Sequence, residues 1–442
     1  MTDFTPEVDL TIFPRINFLK TFEPRLEQRD MNGRVYWIDG APGPFDDATL
    51  HLNFAESKSL TDDVTQQNLV TFTRASTGTY TDNAGVIQTA AVDEARFDHN
   101  GTGESLGLLI EESRTNLETY SETFTDSSWA KTDSSVLANS IESPDGLVNA
   151  TKVIENTSNA AHGVYKSYGG TLTSGVTYTH SVFAKAGERS TLQLASSEGT
   201  DYANFNLSTG SISYATAGSN ASIVEFSGGW YRCSASFTPP SVALVRPWIF
   251  VYNTENPSRV AAYTGDGTSG IYIWGAQLEA GSFPTSYIPT AGSTIQRGAD
   301  VASITGTNFS SWYNQSEGTV VVKLFNCNSP GSNGIWSFSD GSSSNRWIFR
   351  VGLGLQATNF GNITDNAIPY TAIHACAIAD NDIGYASEGA LFTPGTTGAF
   401  PGGKTNLTFG TSPGVGRATG HISRIAYYPV RLPDTQLQAL TL

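Results

Sequence analysis

The chain has 442 residues, 39% hydrophobic, 11% aromatic and only 15% charged, against the roughly 25% charged share usual for globular domains. At roughly 100–200 residues per domain this length predicts two or three domains. Lys+Arg 25 against Asp+Glu 41 gives a net charge of −16, which repels phosphate backbones and excludes nucleic acid as an expected partner.

Residues 1–44 are broken by Pro6, Pro14, Pro24, Pro42 and Pro44. Proline fixes φ and removes an N–H donor, so the segment reads as an extended attachment arm. Its apolar side chains Leu10, Ile12, Phe13, Ile16, Phe18 and Phe22 need a partner surface. The opening "MTDFTPEVDLTIFPRINF" lacks a basic stretch followed by an unbroken apolar one. No run of ~18 apolar residues follows either, so neither an export signal nor membrane insertion is expected.

Residues 45–117 read as short strands with hairpin turns; in "YTDNAGVIQT" the Asp82-Asn83-Ala84-Gly85 stretch tolerates positive φ. Residues 118–290 read as a self-contained β-sandwich, with "TLQLAS", "WYRCSASF", "PWIFVY" and "IYIWGAQL" as strands and a hairpin at "ANFNLSTGSISYA". Residues 291–442 read as a second sandwich, from "GTVVVKLF" to "GHISRIAYYPVRL". Amphipathic helices are scarce, the best being Pro433 to Leu442. The predicted fold is all-β: two antiparallel β-sandwich (jelly-roll-like) domains and an extended N-terminal attachment arm.

The phrases "VTFTRASTGTYTDNAGVIQTAAVDEARFDH", "GLLIEESRTNL", "WGAQLEAGSFPTSYIPTAGSTIQRGAD" and "GHISRIAYYPVRLPDTQLQALT" resemble bacteriophage virion proteins. These are tail-fibre, spike or head-decoration proteins that join a carbohydrate-binding-module-like sandwich to a concanavalin A-like (laminin G-like) one. The resemblance spans roughly Leu50 to Leu442. It implies an N-terminal region that docks on other virion proteins and sandwiches that face outward. "LIEESRTNL" precedes the middle domain and "IQRGADVASI" follows it, so 118–290 reads as an insertion, with 45–117 supplying strands to the C-terminal sandwich.

Enzyme signatures fail on mechanism. The G-x-G-x-x-G of Gly265, Gly267 and Gly270 runs into "IYIWGAQLEA", which alternates like a strand, whereas a dinucleotide site needs a helix there. In "GESLG", Ser105 has no helix after it; in "GTSPG", Ser412 precedes Pro413, which has no N–H for an oxyanion. The six histidines lack metal spacing and the three cysteines lack C-x-x-C pairing. No cofactor is expected. The resembled modules often carry a structural calcium; the acidic turns "TDNAG", "DHNGTGE", "TGDG" and "ADNDIG" leave one open, although Asx-turn chemistry also explains them. Glu111/Glu112, Asp93/Glu94 and Asp380/Asp382 are adjacent carboxylate pairs, but strand neighbours point to opposite faces and no β-helix repeat is present.

Aromatic side chains point to binding. Sugar rings stack their C–H faces on Trp and Tyr, and their hydroxyls need planar polar partners. The candidates are Trp248 and Tyr252 on one face of "PWIFVY", Trp274 in "IYIWGAQL", and Trp336 and Trp347 in the last domain. The expectation is a non-enzymatic virion protein on the tail or capsid surface, contacting host-surface polysaccharide. Weak single sites then require many copies, and a homotrimer is expected. A decoration or cement protein without a glycan site, and a polysaccharide-cleaving tailspike, are the alternatives.

Overall fold

The structure, a computed structural model, describes residues 44–442 apart from 170–171, 198, 242–243, 329–332, 351–353, 358–360, 363–370, 393–399 and 401, with two short earlier strands. It divides into two compact units, Met1–Ala48 and Thr49–Leu442. In the first, strands Glu27–Arg29 and Val35–Trp37 pair antiparallel. The attachment positions Leu10, Ile12, Phe13, Ile16, Phe18 and Phe22 lie outside the described residues.

The second unit is all-β, every strand ladder among the described residues being antiparallel, and it holds two sandwiches. One is continuous in sequence. Its first sheet runs Ala130–Thr132, His162–Tyr165, Pro247–Tyr252, Thr191–Ser196, Tyr202–Asn206, Ser211–Ala215. Its second runs Ser134–Ile141, Ala150–Glu155, Gly270–Ala280, Tyr178–Ala186, Trp230–Phe237, Ser222–Phe226. Alternation sends Leu192, Leu194, Phe205, Ile249 and Val251 of the first sheet against Val153, Val182, Cys233, Ile271 and Ile273 of the second.

The other sandwich is composite. Its seven-stranded sheet joins Thr71–Thr73 to Val301–Thr305, which pairs onward with Asn406–Phe409. Its eight-stranded sheet is centred on Thr419–Tyr428, which pairs with Gly318–Asn328 and also with Leu50–Leu52 and Ser105–Ile110. Strands from before residue 111 and after residue 300 therefore share both sheets. Their shared core contains Phe54, Val320, Val322, Trp336, Phe338, Trp347, Phe409 and Tyr427. The C-terminal helix Asp434–Leu440 packs on Ala372–Ala379 and Asp382–Ser387, burying Leu437.

A two-stranded stalk joins the sandwiches: Arg114–Asn116 leaves the composite one beside Ile295–Arg297, which returns to it. Beneath the stalk lies a buried ion cluster. Arg96 meets Asp300 at 2.5 Å and Glu111 at 2.8 Å, Arg74 meets Asp300 at 3.1 Å, and Arg297 meets Glu111 at 3.4 Å. Ser286, from the continuous sandwich's exit, donates its N–H and hydroxyl to Glu111 at 2.7 and 2.6 Å. The guanidinium groups of Arg297 and Arg96 and these bonds hold the Glu111 carboxyl well below its ordinary range despite burial.

Candidate functional site

The outer face of the first sheet of the continuous sandwich carries the site. In Pro247–Tyr252, Ile249 and Val251 point into the core, so Trp248, Phe250 and Tyr252 point out. Register places Tyr165 opposite Trp248, Trp248 opposite Ala195, and Ala195 opposite Tyr202. Tyr165, Trp248 and Tyr202 therefore form one row across the sheet. Each is half-buried, and Tyr214, which stacks on Tyr202 at 4.9 Å and 29°, is exposed.

Two arginines cap the row. The Arg259 guanidinium lies 5.6 Å from the Trp248 ring centre, and that of Arg246 lies 5.7 Å from Tyr165. Arg259 also donates to the Ser196 carbonyl. Neither guanidinium forms an ion pair among the described residues. A planar, weakly hydrated cation beside half-exposed rings is suited to hold sugar hydroxyls or carboxylates at the edge of a stacked sugar.

The next rows of the same face are closed by residues 253–262. Gln193 accepts from Val260 N at 2.9 Å, Asn204 Nδ2 donates to the Pro257 carbonyl at 2.8 Å and to Asn256 Oδ1 at 2.9 Å, and Asn206 Nδ2 donates to Glu255 at 3.0 Å. Under this cover Phe250 and Tyr252 are each 2% exposed. Gly163 fits beside them because a Cβ there would stand 2.7 Å from the Phe250 ring.

Of the five aromatics singled out from sequence, only Trp248 is partly exposed, with the Arg259 guanidinium over its ring. Tyr252 is closed off by the 253–262 segment. Trp274 also lies on an outer face, but Phe183, Trp230 and Tyr287 enclose it, with Tyr287 at 4.8 Å. Trp336 and Trp347 are buried in the composite core, their rings 5.7 Å apart edge to face. The stacking role expected of these four is corrected: each has its ring faces occupied by protein. Tyr165, Tyr202 and Tyr214 were missed. Alternation in "HGVY" and "DYANF" sets Tyr165 and Tyr202 opposite the aliphatic face, a signal that was available; no local signal marks Arg259.

The other chemistry-bearing residues have structural tasks. Glu111 belongs to the ion cluster, and Glu112 pairs with Arg114 at 2.5 Å. Asp93 accepts Arg74 N, Glu94 accepts Ala91 N, Asp380 accepts Phe400 N, and Asp382 meets Arg431 at 2.8 Å. Gly265 and Gly267 lie in the loop that leads into strand Gly270–Ala280. Asp82 and Asp266 accept the N–H groups of their own turns, as Asx turns do. Among the described residues no three His, Cys, Asp or Glu side chains gather as metal ligands, and the three cysteines are free and buried.

No family model matches the chain, and no curated protein matches it. Among solved structures it is similar to the CBM40 module of the Ruminococcus gnavus IT-sialidase, at 17% identity over 30% of this chain and 88% of that one, TM-score 0.26. It is similar to the CBM22-1–CBM22-2 tandem of Paenibacillus barcinonensis Xyn10C, at 9% identity over 73% and 98%, TM-score 0.26. Trypanosoma rangeli sialidase matches at 11% identity over 70% and 62%, TM-score 0.25. At these values the likenesses carry no functional argument.

Proposed function

We propose that the chain is a carbohydrate-binding virion protein of a bacteriophage, a tail fibre or spike that attaches the particle to host-surface polysaccharide. The observation that carries the binding reading is the half-exposed row of Tyr165, Trp248 and Tyr202 capped by Arg246 and Arg259. Half-exposed aromatic rings beside guanidinium groups without ion pairs among the described residues suit a sugar better than they suit a core. The virion assignment is supported by the resemblance of the phrases quoted above. In this reading residues 10–22 dock on other virion proteins, and the protein acts without cleaving its ligand. One shallow row gives weak affinity, so adhesion depends on many copies, and we propose a homotrimer.

The test is incubation of the full-length protein with host-surface polysaccharide, scoring retention and the release of shorter chains. Retention without shortening is expected. Shortening would establish a polysaccharide-cleaving tailspike instead, and absence of both would favour a decoration or cement protein.

A further inference from the structure

A second concave feature lies on the composite sandwich, far in sequence from the aromatic row. It is a groove of about 550 Å³ between the hairpin Gly78–Thr81/Ile87–Ala90 and the edge strand Phe97–His99, within the roughly 300–1,000 Å³ range of small-ligand sites. Leu60, Ala95 and Phe97 give it an apolar floor, since all three are partly buried against the composite core. Tyr80 adds a half-buried ring to one wall.

His99 supplies the polar feature that points to a ligand. It lines the groove and is 6% exposed. Its Nδ1 lies 3.0 Å from the Thr81 carbonyl, which can only accept, so in the neutral ring Nδ1 carries the proton. Nε2 is then a lone-pair acceptor, and it is buried without a hydrogen-bond partner. A buried acceptor left unmet is costly, and a ligand hydroxyl would satisfy it.

The rim decides the class of ligand. Asp82 and Glu94 bring two carboxylates and Lys58 one cation, a balance that disfavours anions and suits donors such as sugar hydroxyls. We propose that this groove is a second saccharide site, specific for neutral sugars, in which a hydroxyl donates to His99 Nε2 and a C–H face lies on Phe97 and Tyr80. It differs from the aromatic row, whose guanidinium groups also accommodate acidic sugars.

The experiment uses the full chain carrying Trp248→Ala, so that the row no longer contributes, labelled with ¹⁵N-histidine. It is exposed to a panel of neutral hexose and N-acetylhexosamine oligosaccharides. At least one is expected to bind and to move the His99 Nε2 resonance, with affinity falling at least about tenfold on adding Tyr80→Ala. Glu94→Gln, at an exposed rim position, is the control that keeps the fold, and a loss of about threefold is expected. Failure of every neutral oligosaccharide to bind the Trp248→Ala chain would overturn the proposal. So would binding that leaves the His99 signal unmoved and is unchanged in both variants.

Discussion

The core and ion cluster of the composite sandwich and the outer face of the continuous one put tryptophan and arginine to different uses. In the composite one, Trp336 and Trp347 are fully enclosed, and Arg74, Arg96 and Arg297 converge on Glu111 and Asp300 beneath the stalk. On the outer face of the continuous one, Trp248 stays half-exposed, and Arg246 and Arg259 lie over rings with no ion pair among the described residues. The difference follows from desolvation. A guanidinium removed from water requires a carboxylate within reach, whereas one at the surface can remain available to a ligand. Tryptophan is therefore informative here only through what covers it.

The largest expected effect tests the buried side of this contrast. Asp300→Ala strips the carboxylate that both Arg74 and Arg96 share and is expected to cost about 3–5 kcal/mol, because buried Arg74 is left without a carboxylate and Arg96 keeps only Glu111. Urea unfolding measures it, and a loss below about 1 kcal/mol would break the account of the cluster. The Glu111 carboxyl titrates below its ordinary 4.5 in the folded chain. Its contribution is thus complete above that value and is lost as the pH falls through the acid range.

Exchanging the tryptophans sharpens the comparison. Trp336→Ala is expected to cost about 3–5 kcal/mol through the cavity it leaves, with glycan affinity of the folded fraction unchanged. Trp248→Ala should cost about 1 kcal/mol or less in stability but weaken glycan binding at least about tenfold. Equal effects of the two substitutions on both readouts would remove the distinction between core and platform.

A smaller and opposite pH effect should come from Glu118, where the continuous sandwich begins. Burial pushes its carboxyl up to about 7, only partly countered by the Tyr168 hydroxyl that donates to it and by Lys166. A carboxyl raised in the folded state contributes most below its ordinary 4.5 and loses that contribution as the pH rises through about 7. Stability of the native chain should therefore decline over that window by up to about 3 kcal/mol, and Glu118→Gln should flatten the decline. An unchanged slope would contradict the assignment.

How far the sequence could be read divides along the same lines. The all-β class was legible because alternation and turn residues are local properties: Ile249 and Val251 did separate from Trp248, Phe250 and Tyr252. Which face met solvent was not local. Tyr252 is closed by bonds from Gln193, Asn204 and Asn206 to residues 255–260, and Trp274 by Tyr287 thirteen positions on. Tyr165 and Tyr202 joined Trp248 only through strand register, which no single stretch of the sequence displays. The ion cluster was equally hidden, since Glu111 read as half of an adjacent carboxylate pair until Arg96 and Arg297 were seen around it.

The central claim is that the row of Tyr165, Trp248 and Tyr202 is the surface that holds polysaccharide. It is tested most directly by the equilibrium binding of the full-length chain and its Trp248→Ala variant to host-surface polysaccharide, side by side. The account predicts binding by the native chain and a loss of at least about tenfold in the variant at unchanged fold. Equal affinity of the two proteins would contradict it.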